Sequence, residues 1–278
     1  MIDITPETEL YKGWTVIVTG AGSGLGKATA GILAYQGARL ILADLNQATG
    51  DKTVEELKGQ FPKATITFVQ CDITNEDSVA KLFEVVTANN GTLQGLAHCA
   101  GIFGEGKEIH ETPLAAFERE MKVNTTGTFL MNRAAVKQFI AQNEKGIAPP
   151  QGGWSIVNVG SKASTAGNRE ATAYTASKHG VLGISRCVAV EQARNKIRCN
   201  CVSPGPIDTP LTRSGTSVPL DAPVDELNAK LVKLGILDAI LLKRLGTAED
   251  IGYQISHLLG PRGQFITNST VAIDGGWI

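Results

Sequence analysis

A short apolar run, Thr15-Val16-Ile17-Val18, ends in Thr19-Gly20-Ala21-Gly22-Ser23-Gly24-Leu25-Gly26, and a helix-compatible stretch from Lys27 to Gln36 follows. No other feature limits the possible folds so strongly. Glycines let the backbone take positive φ and come close to a ligand. A helix starting at such a turn aims its free N–H groups and the positive end of its dipole forward, which favours an anion. The pattern is T-G-x-x-x-G-x-G on Thr19, Gly20, Gly24 and Gly26, not the strict G-x-G-x-x-G fingerprint. A merely flexible loop would also be glycine-rich, but composition alone does not place it between a strand and a helix.

The same alternation recurs to the end of the chain. Strands are expected near 15–19, 39–43, 65–70, 95–98, 155–159, 198–202 and 270–273, and helices near 25–36, 47–60, 76–88, 113–124, 127–142, 173–194 and 248–259. The strand segments are short and rich in Val, Ile and Leu, as strands covered on both faces are. Alternating β and α units predict right-handed crossovers and a parallel sheet. The expected fold class is α/β: a single doubly wound Rossmann domain over residues 1–278, with a seven-stranded parallel sheet and helices on both faces. Ligands of such sheets sit outside the carboxyl ends of the strands. No internal repeat or domain linker is visible. Residues 143–153 (NEKGIAPPQGG) read as a surface loop. Residues 205–220, with Pro206, Pro210, Gly215 and Pro219, precede a weakly helical stretch at 224–240, so 205–240 is expected to form a lid over the ligand.

Charge and composition exclude several classes. A net charge of −1 gives no basic surplus for nucleic acid or an acidic membrane. No apolar run reaches the roughly 18 residues needed to span a bilayer. Met1–Glu7 is acidic and lacks the basic and apolar regions of a signal peptide. The five cysteines, Cys71, Cys99, Cys187, Cys199 and Cys201, are odd in number and contain no C-x-x-C, which suits a reduced, cytoplasmic setting. Cys199 and Cys201 lie two apart in an expected strand and should share one face as core thiols. The four histidines are scattered without metal-ligand spacing, and no metal is expected.

An acid at the end of the second strand extends the phosphate-loop reading. Asp44 follows Arg39-Leu40-Ile41-Leu42-Ala43. A carboxylate there can accept from both ribose hydroxyls of an adenosine and would repel a 2′-phosphate. Leu45, Asn46 and Ser23 offer no cation to hold such a phosphate, so NAD is expected rather than NADP. Asp44 would equally serve as a cap for the next helix. Asp72, after the third strand, is placed to accept from an adenine amino group with Ile73 covering the ring, or to cap the helix beginning near Asn75.

The reacting end lies further along. Tyr174 and Lys178, in Tyr174-Thr175-Ala176-Ser177-Lys178, share a helix face at i and i+4. A free phenol has a pKa near 10, and a neighbouring cation lowers it, typically by about 1–3 units. The pair would then serve as a general base for an alcohol, or in reverse as an acid for a carbonyl. Alone, this spacing is as readily structural. Its company changes the odds. Ser161 ends the strand Ile156-Val157-Asn158-Val159 and would meet Tyr174 over one substrate oxygen. Asn124, in Met121-Lys122-Val123-Asn124, sits near a helix junction and could bind a water continuing a proton path to Lys178.

With these residues in order, the chain resembles a classical short-chain dehydrogenase/reductase over nearly its whole length. The family's glycine motif corresponds to Thr19–Gly26, and its active-site asparagine, serine, tyrosine and lysine to Asn124, Ser161, Tyr174 and Lys178. Its proline-glycine segment corresponds to Pro204-Gly205-Pro206-Ile207-Asp208-Thr209, where Ile207 would meet the nicotinamide carboxamide through its backbone and Thr209 through its hydroxyl. Asp274-Gly275-Gly276 also fits. The resemblance implies hydride transfer between nicotinamide and a secondary alcohol or ketone. Tyr174 would take the hydroxyl proton, Ser161 hold the substrate oxygen, Lys178 bind the nicotinamide ribose, and Asn124 order the relay water. The implied cofactor shell is Gly20, Ser23, Gly24, Leu25, Gly26, Asp44, Leu45, Asp72, Ile73, Cys99, Ala100, Gly101, Asn124, Tyr174, Lys178, Pro204, Gly205, Ile207 and Thr209. A homo-oligomer, dimer or tetramer, is implied, with helices 113–142 and 173–194 as interfaces.

One departure stands out. The family usually has Asn-Asn-Ala-Gly after the fourth strand; this chain has His98-Cys99-Ala100-Gly101. His98 is expected to brace the sheet in place of an amide, and Cys99 to be a packed thiol. Two other functions stay open: a cofactor-retaining epimerase, dehydratase or cyclase, and a dinucleotide-binding regulator without turnover. Substrate-pocket candidates are Ala163, Ser164, the loop 103–108, Asn168, Arg169 and the lid.

Overall fold

The computed structural model describes residues 5–88 and 91–278; residues 1–4, and with them most of the acidic start, lie outside the described residues. The strands are β1 (Thr15–Thr19), β2 (Arg39–Asp44), β3 (Ile66–Gln70), β4 (Gly95–His98), β5 (Trp154–Val159), β6 (Ile197–Pro204) and β7 (Thr270–Ile273). The helices are α1 (Gly24–Tyr35), α2 (Gln47–Gln60), α3 (Glu76–Ala88), α4 (Leu114–Glu120), α5 (Gly127–Glu144), α6 (Thr172–Gln192), α7 (Pro210–Gly215), α8 (Val224–Lys233), α9 (Ile236–Ala239) and α10 (Ala248–Leu259). The strands form one seven-stranded sheet in the order β3-β2-β1-β4-β5-β6-β7, and every pairing is parallel. The order reverses between β1 and β4, and that reversal opens a crevice at the carboxyl ends of the strands.

Period-two alternation explains why both faces are apolar. Val16, Val18, Leu40 and Leu42 pack with Leu33 of α1 and Ile251, Ile255 and Leu258 of α10. The intervening residues, Ile17, Ile41, Leu96 and Ile156, pack on the other face with Leu82 of α3, Met131 and Phe139 of α5 and Ala189 of α6. Cys199 and Cys201 are both buried, as two residues one strand period apart can be. Arg198 is buried in β6 because its guanidinium donates to the carbonyls of Gly152, Leu258, Leu259, Gly260 and Ile266.

The helices 113–124 and 127–142, read from the sequence as two, are one continuous rod. Between α4 and α5 the backbone widens into a π turn, Met121–Thr126. Such insertions often mark functional positions. Hydroxyls brace the turn: Thr128 Oγ1 donates to the Asn124 carbonyl at 2.6 Å, and Thr125 Oγ1 reaches across to the Ser177 carbonyl of α6 at 3.0 Å. The weakly helical stretch 224–240 splits at Gly235, whose φ of +70° ends α8 and starts α9. Val218, Leu227, Leu231 and Leu245 give that region an apolar cluster of its own. No described helix is long and apolar enough to cross a membrane.

Candidate active site

The glycine loop is shaped by close approaches. Gly20 has φ +64°, and a Cβ there would lie 2.9 Å from Ala100 Cα. A Cβ on Gly26 would lie 2.2 Å from the Gly20 carbonyl oxygen, so only glycine lets α1 start this close to β1. Ser23 flanks the helix start, but its side chain makes no capping bond, whereas Asn46 and Thr247 cap α2 and α10. The start of α1 is therefore left open to an external acceptor.

In front of it lies a cavity of about 490 Å³. Its walls carry Gly20, Ser23, Gly24, Leu25, Gly26, Asp44, Leu45, Asp72, Ile73, Cys99, Ala100, Gly101 and Thr209, so most of the expected cofactor residues converge on one space. A smaller cavity of about 80 Å³ continues it, walled by Ser161, Tyr174, Lys178, Pro204, Gly205, Ile207 and Thr209. Leu25, Cys99, Gly101, Ile102, Thr209 and Leu211 border both. A dinucleotide fits this shape: an anion-binding helix start, a carboxylate at one end and a tyrosine at the other.

Asp44 is held at the end of β2 by two amides, with Oδ2 accepting from Gly22 N and Oδ1 from Asn46 N, each at 2.9 Å. Asn46, not Asp44, caps α2 through Thr49 N. Asp72 likewise does not cap α3; Asn75 does, accepting from Ser78 N at 2.9 Å. Asp72 commits Oδ1 to the Thr74 amide and hydroxyl, both at 2.8 Å, which leaves Oδ2 for a ligand.

His98 is buried on β4, and burial pushes its pKa down to about 3, so the ring is neutral. Thr19 Oγ1 accepts from the amides of Cys99 and Ala100, each at 3.1 Å, and lies 2.9 Å from His98 Nδ1. The hydroxyl proton then falls to Nδ1, leaving the imidazole proton on Nε2, which has no partner among the described residues. His98 thus ties β1 to β4. Cys99 is a packed thiol, pushed up to about 12 by burial.

Tyr174 and Lys178 lie on one face of α6, with Lys178 Nζ 5.6 Å from the tyrosine ring centre. One expectation is corrected here. The lysine was expected to draw the phenol pKa down. Instead burial pushes Tyr174 up to about 12, against a hydrogen bond from Ser161, and the Glu120 carboxylate adds to the rise. Burial lowers Lys178 to about 8, and its Nζ donates to the Val159 carbonyl at 2.9 Å. The Asn124 side chain is engaged by the protein itself. Its side-chain oxygen accepts from Ile102 N at 2.8 Å, and its Nδ2 donates to the Ile102 carbonyl and Ser177 Oγ, each at 2.9 Å. Its backbone carbonyl accepts from Thr128 and keeps a second lone pair, on which a relay water could still be held. Gly101 makes the cluster compact: a Cβ there would lie 3.1 Å from Asn124 Oδ1 and 3.3 Å from Lys178 Nζ.

The lowered lysine has a measurable consequence. Between pH 8 and the ordinary lysine value near 10.5, the unfolded chain holds a proton that the folded chain has lost, so stability rises with pH across that window. Lys178→Met removes this contribution. The stability advantage of the variant over the wild type should shrink by on the order of 2 kcal/mol between pH 7.5 and 10, measured by urea midpoints.

Ser161 Oγ accepts from Ala163 N at 3.1 Å, and Ser164 Oγ accepts from Ser161 N at 3.0 Å. Ser164 is thus a support, and Ala163 is buried beside it. The next residue, Lys162, donates to the Trp277 carbonyl at 2.7 Å and pairs with Asp274 at 3.5 Å. Arg169 is exposed, and neither cavity includes Asn168 or Arg169. The Ile207 strand-like bridge to Gly246 uses Pro206 O and Asp208 N, leaving Ile207's own amide to face the other way. Leu211 and Thr212, both inside the expected lid, line the cavities, whereas sequence reasoning missed Arg119 and Val123 among the walls. Arg119 and Val123 lie one helical turn apart, a spacing that was there to be read. Within that lid, the Arg213 guanidinium grips Asp208 at 2.7 and 3.0 Å and donates to the carbonyls of Pro219 and Ala222, a bracing role the sequence did not announce.

This fold and this cluster define a nicotinamide-dinucleotide oxidoreductase, and the chain belongs to the short-chain dehydrogenase/reductase family. A model of that family, described as enoyl-(acyl carrier protein) reductase, matches residues 20–278. The chain is 32% identical to cis-4-hydroxycyclohexanecarboxylate dehydrogenase of Sinomonas cyclohexanicum over 97% of this chain and 98% of the relative. It is 31% identical to 2,5-dichloro-2,5-cyclohexadiene-1,4-diol dehydrogenase of Sphingobium indicum, over 96% and 97%. The crystal structure of levodione reductase superposes with a TM-score of 0.86 at 29% identity, covering 96% of this chain and 98% of that one.

Proposed function

We propose that the protein is an NAD-dependent dehydrogenase that interconverts a ring-borne secondary alcohol and its ketone. The observation that carries this reading is the meeting of Ser161, Tyr174 and Lys178 at one end of a crevice whose other end is rimmed by Asp44. Two relatives whose names specify cyclohexane or cyclohexadiene alcohols support the ring-shaped substrate. When bound, the nicotinamide accepts or returns the hydride and, oxidised, brings a positive charge near Tyr174.

The chain's own residues do the rest. The start of α1 binds the pyrophosphate. Asp44 takes the ribose hydroxyls, and Asp72 and Ile73 the adenine. The Ile207 amide and Thr209 hydroxyl orient the carboxamide. Ser161 holds the substrate oxygen. As the carbinol hydrogen leaves as hydride, Tyr174 accepts the hydroxyl proton, and the same phenol returns it in reduction. Lys178 binds the nicotinamide ribose and favours the phenolate. Residues 205–240 close over the substrate, and the Arg213–Asp208 pair braces the lid from within, holding α7 to the Pro204–Thr209 segment. Phe129 on α5 and Val190 on α6 are exposed, and we place the contacts of a homo-oligomer on those helices.

The test is NADH formation from a panel of cyclic secondary alcohols, with NADP in parallel. NAD is expected to be preferred by at least about 100-fold in kcat/KM, since hydrogen bonds to a charged group contribute roughly 1.5–3 kcal/mol each. Asp44→Ala should remove most of that preference. Equal use of NADP by the wild type would overturn the Asp44 assignment. Chemical change of substrate without net NADH would favour a cofactor-retaining isomerase or lyase instead, and tight NAD binding without any turnover a regulator.

A further inference from the structure

Glu120 is a carboxylate where a helix facing the interior would ordinarily carry an apolar residue. It is 4% exposed, and its Oε2 has no partner among the described residues. Burying a carboxyl with so few donors is costly. Its one amide donor is Gly104, in the loop after β4. The contact is tight: a Cβ on Gly104 would lie 2.5 Å from Glu120 Oε1. Asn124, one turn further along the same rod, holds Ile102 through both its N–H and its carbonyl. Lys107 N then donates to the Glu170 carbonyl at 3.1 Å and closes the loop just before α6.

Phe103 stands between the first two of these anchors. Its ring meets Tyr174 edge-to-face, with centroids 5.1 Å apart and planes at 78°. On its other side, a Cβ on Gly215 at the end of α7 would lie 3.1 Å from the Phe103 ring. The ring therefore spans from the tyrosine to the lid.

We propose that Phe103 is the specificity-determining wall for an alicyclic or aromatic ring carrying the carbinol, and that Glu120 and Asn124 place it by clamping the backbone on either side. This rests on the secondary-alcohol reading above. Phe103 is half-buried and lies behind Tyr174, outside the walls of both cavities. A substrate reaching past the tyrosine towards α7 would meet a flat apolar ring there, which a six-membered ring would cover and a short open chain would not. Glu120 is a positioning residue. An apolar side chain in its place would leave the Gly104 amide unpaired and the loop free to shift.

The test compares Phe103→Ala, Glu120→Ala and Glu120→Gln with the wild type, using cyclohexanol and 2-butanol as probes with NAD. Phe103→Ala should lower the cyclohexanol-to-2-butanol ratio of kcat/KM by about tenfold or more, the scale on which pockets discriminate small apolar groups. Glu120→Ala should lower the ratio by about fivefold through KM, and raise amide exchange of residues 102–106 about tenfold while leaving β1 and α1 unchanged. Glu120→Gln keeps an oxygen for Gly104 and should restore both readouts. An unchanged ratio in Phe103→Ala overturns the wall, and unchanged exchange in Glu120→Ala overturns the clamp. If Glu120→Ala does not fold, exchange in Glu120→Gln decides the clamp, since a loop as open as an unclamped one would overturn it. A wild type inactive on both alcohols sinks the secondary-alcohol reading, and the wall with it. Activity with an insensitive ratio sinks the wall alone.

Discussion

Tyr174→Phe is expected to reduce kcat/KM for alcohol oxidation by roughly 10²–10⁴-fold, the range assigned to a positioned general acid–base. The aromatic ring and its edge-to-face contact with Phe103 remain, so NAD affinity by calorimetry and the thermal midpoint should stay close to wild type. The pH profile is the more telling readout. Burial holds the free phenol near 12, well above neutrality, so the active fraction depends on a phenolate formed at a cost. Oxidation by the wild type should then climb about tenfold per pH unit on its acid limb, and the residual activity of the variant should lose that slope. Near wild-type turnover in Tyr174→Phe would move the proton transfer to another group.

Gly26→Ala should be comparably severe by another route. The new methyl would lie 2.2 Å from the Gly20 oxygen, 2.5 Å from its carbonyl carbon and 2.8 Å from the Thr19 oxygen, all of them backbone atoms. Nothing flexible is available to move aside, so α1 must shift away from β1. Overpacking of this kind costs about 1–3 kcal/mol in stability, and the displaced helix start should weaken NAD binding by about 100-fold. Gly31→Ala is the control on the same helix. Its methyl would meet only Leu57 Cδ2 at 3.4 Å, and the change should gain up to about 1 kcal/mol from helix propensity. Equal effects from the two variants, read by chemical unfolding and calorimetry, would remove the special role of Gly26.

The parts of this molecule that are legible in the sequence are those set by local pattern. The glycine loop, the apolar strands and the Tyr174–Lys178 spacing are all short-range signals, and each falls where its pattern predicts. The parts that are not legible depend on partners far away in the chain. Arg198 lies at the start of an expected strand, and nothing local announces the five carbonyls from residues 152–266 that bury it. Glu120 lies within the expected helix 113–124, and nothing local announces the Gly104 amide. The π turn at Met121–Thr126 shifts the helical phase by one residue, and a 3.6-residue template has no place for it. The phenol of Tyr174 moves opposite to the pairwise expectation because desolvation, a property of the whole surrounding, outweighs the Ser161 hydrogen bond, and the Glu120 carboxylate adds to the rise.

The two ends of the crevice are completed at different points of synthesis. By Gly101 a growing chain already contains the glycine loop, Asp44 and Asp72 on β1 to β4. Ser161 follows another schedule, because Lys162 beside it reaches forward to Asp274 and the carbonyl of Trp277. A nascent polypeptide thus gathers the residues of the glycine-loop end of the crevice well before those that buttress the segment after Ser161 have been made.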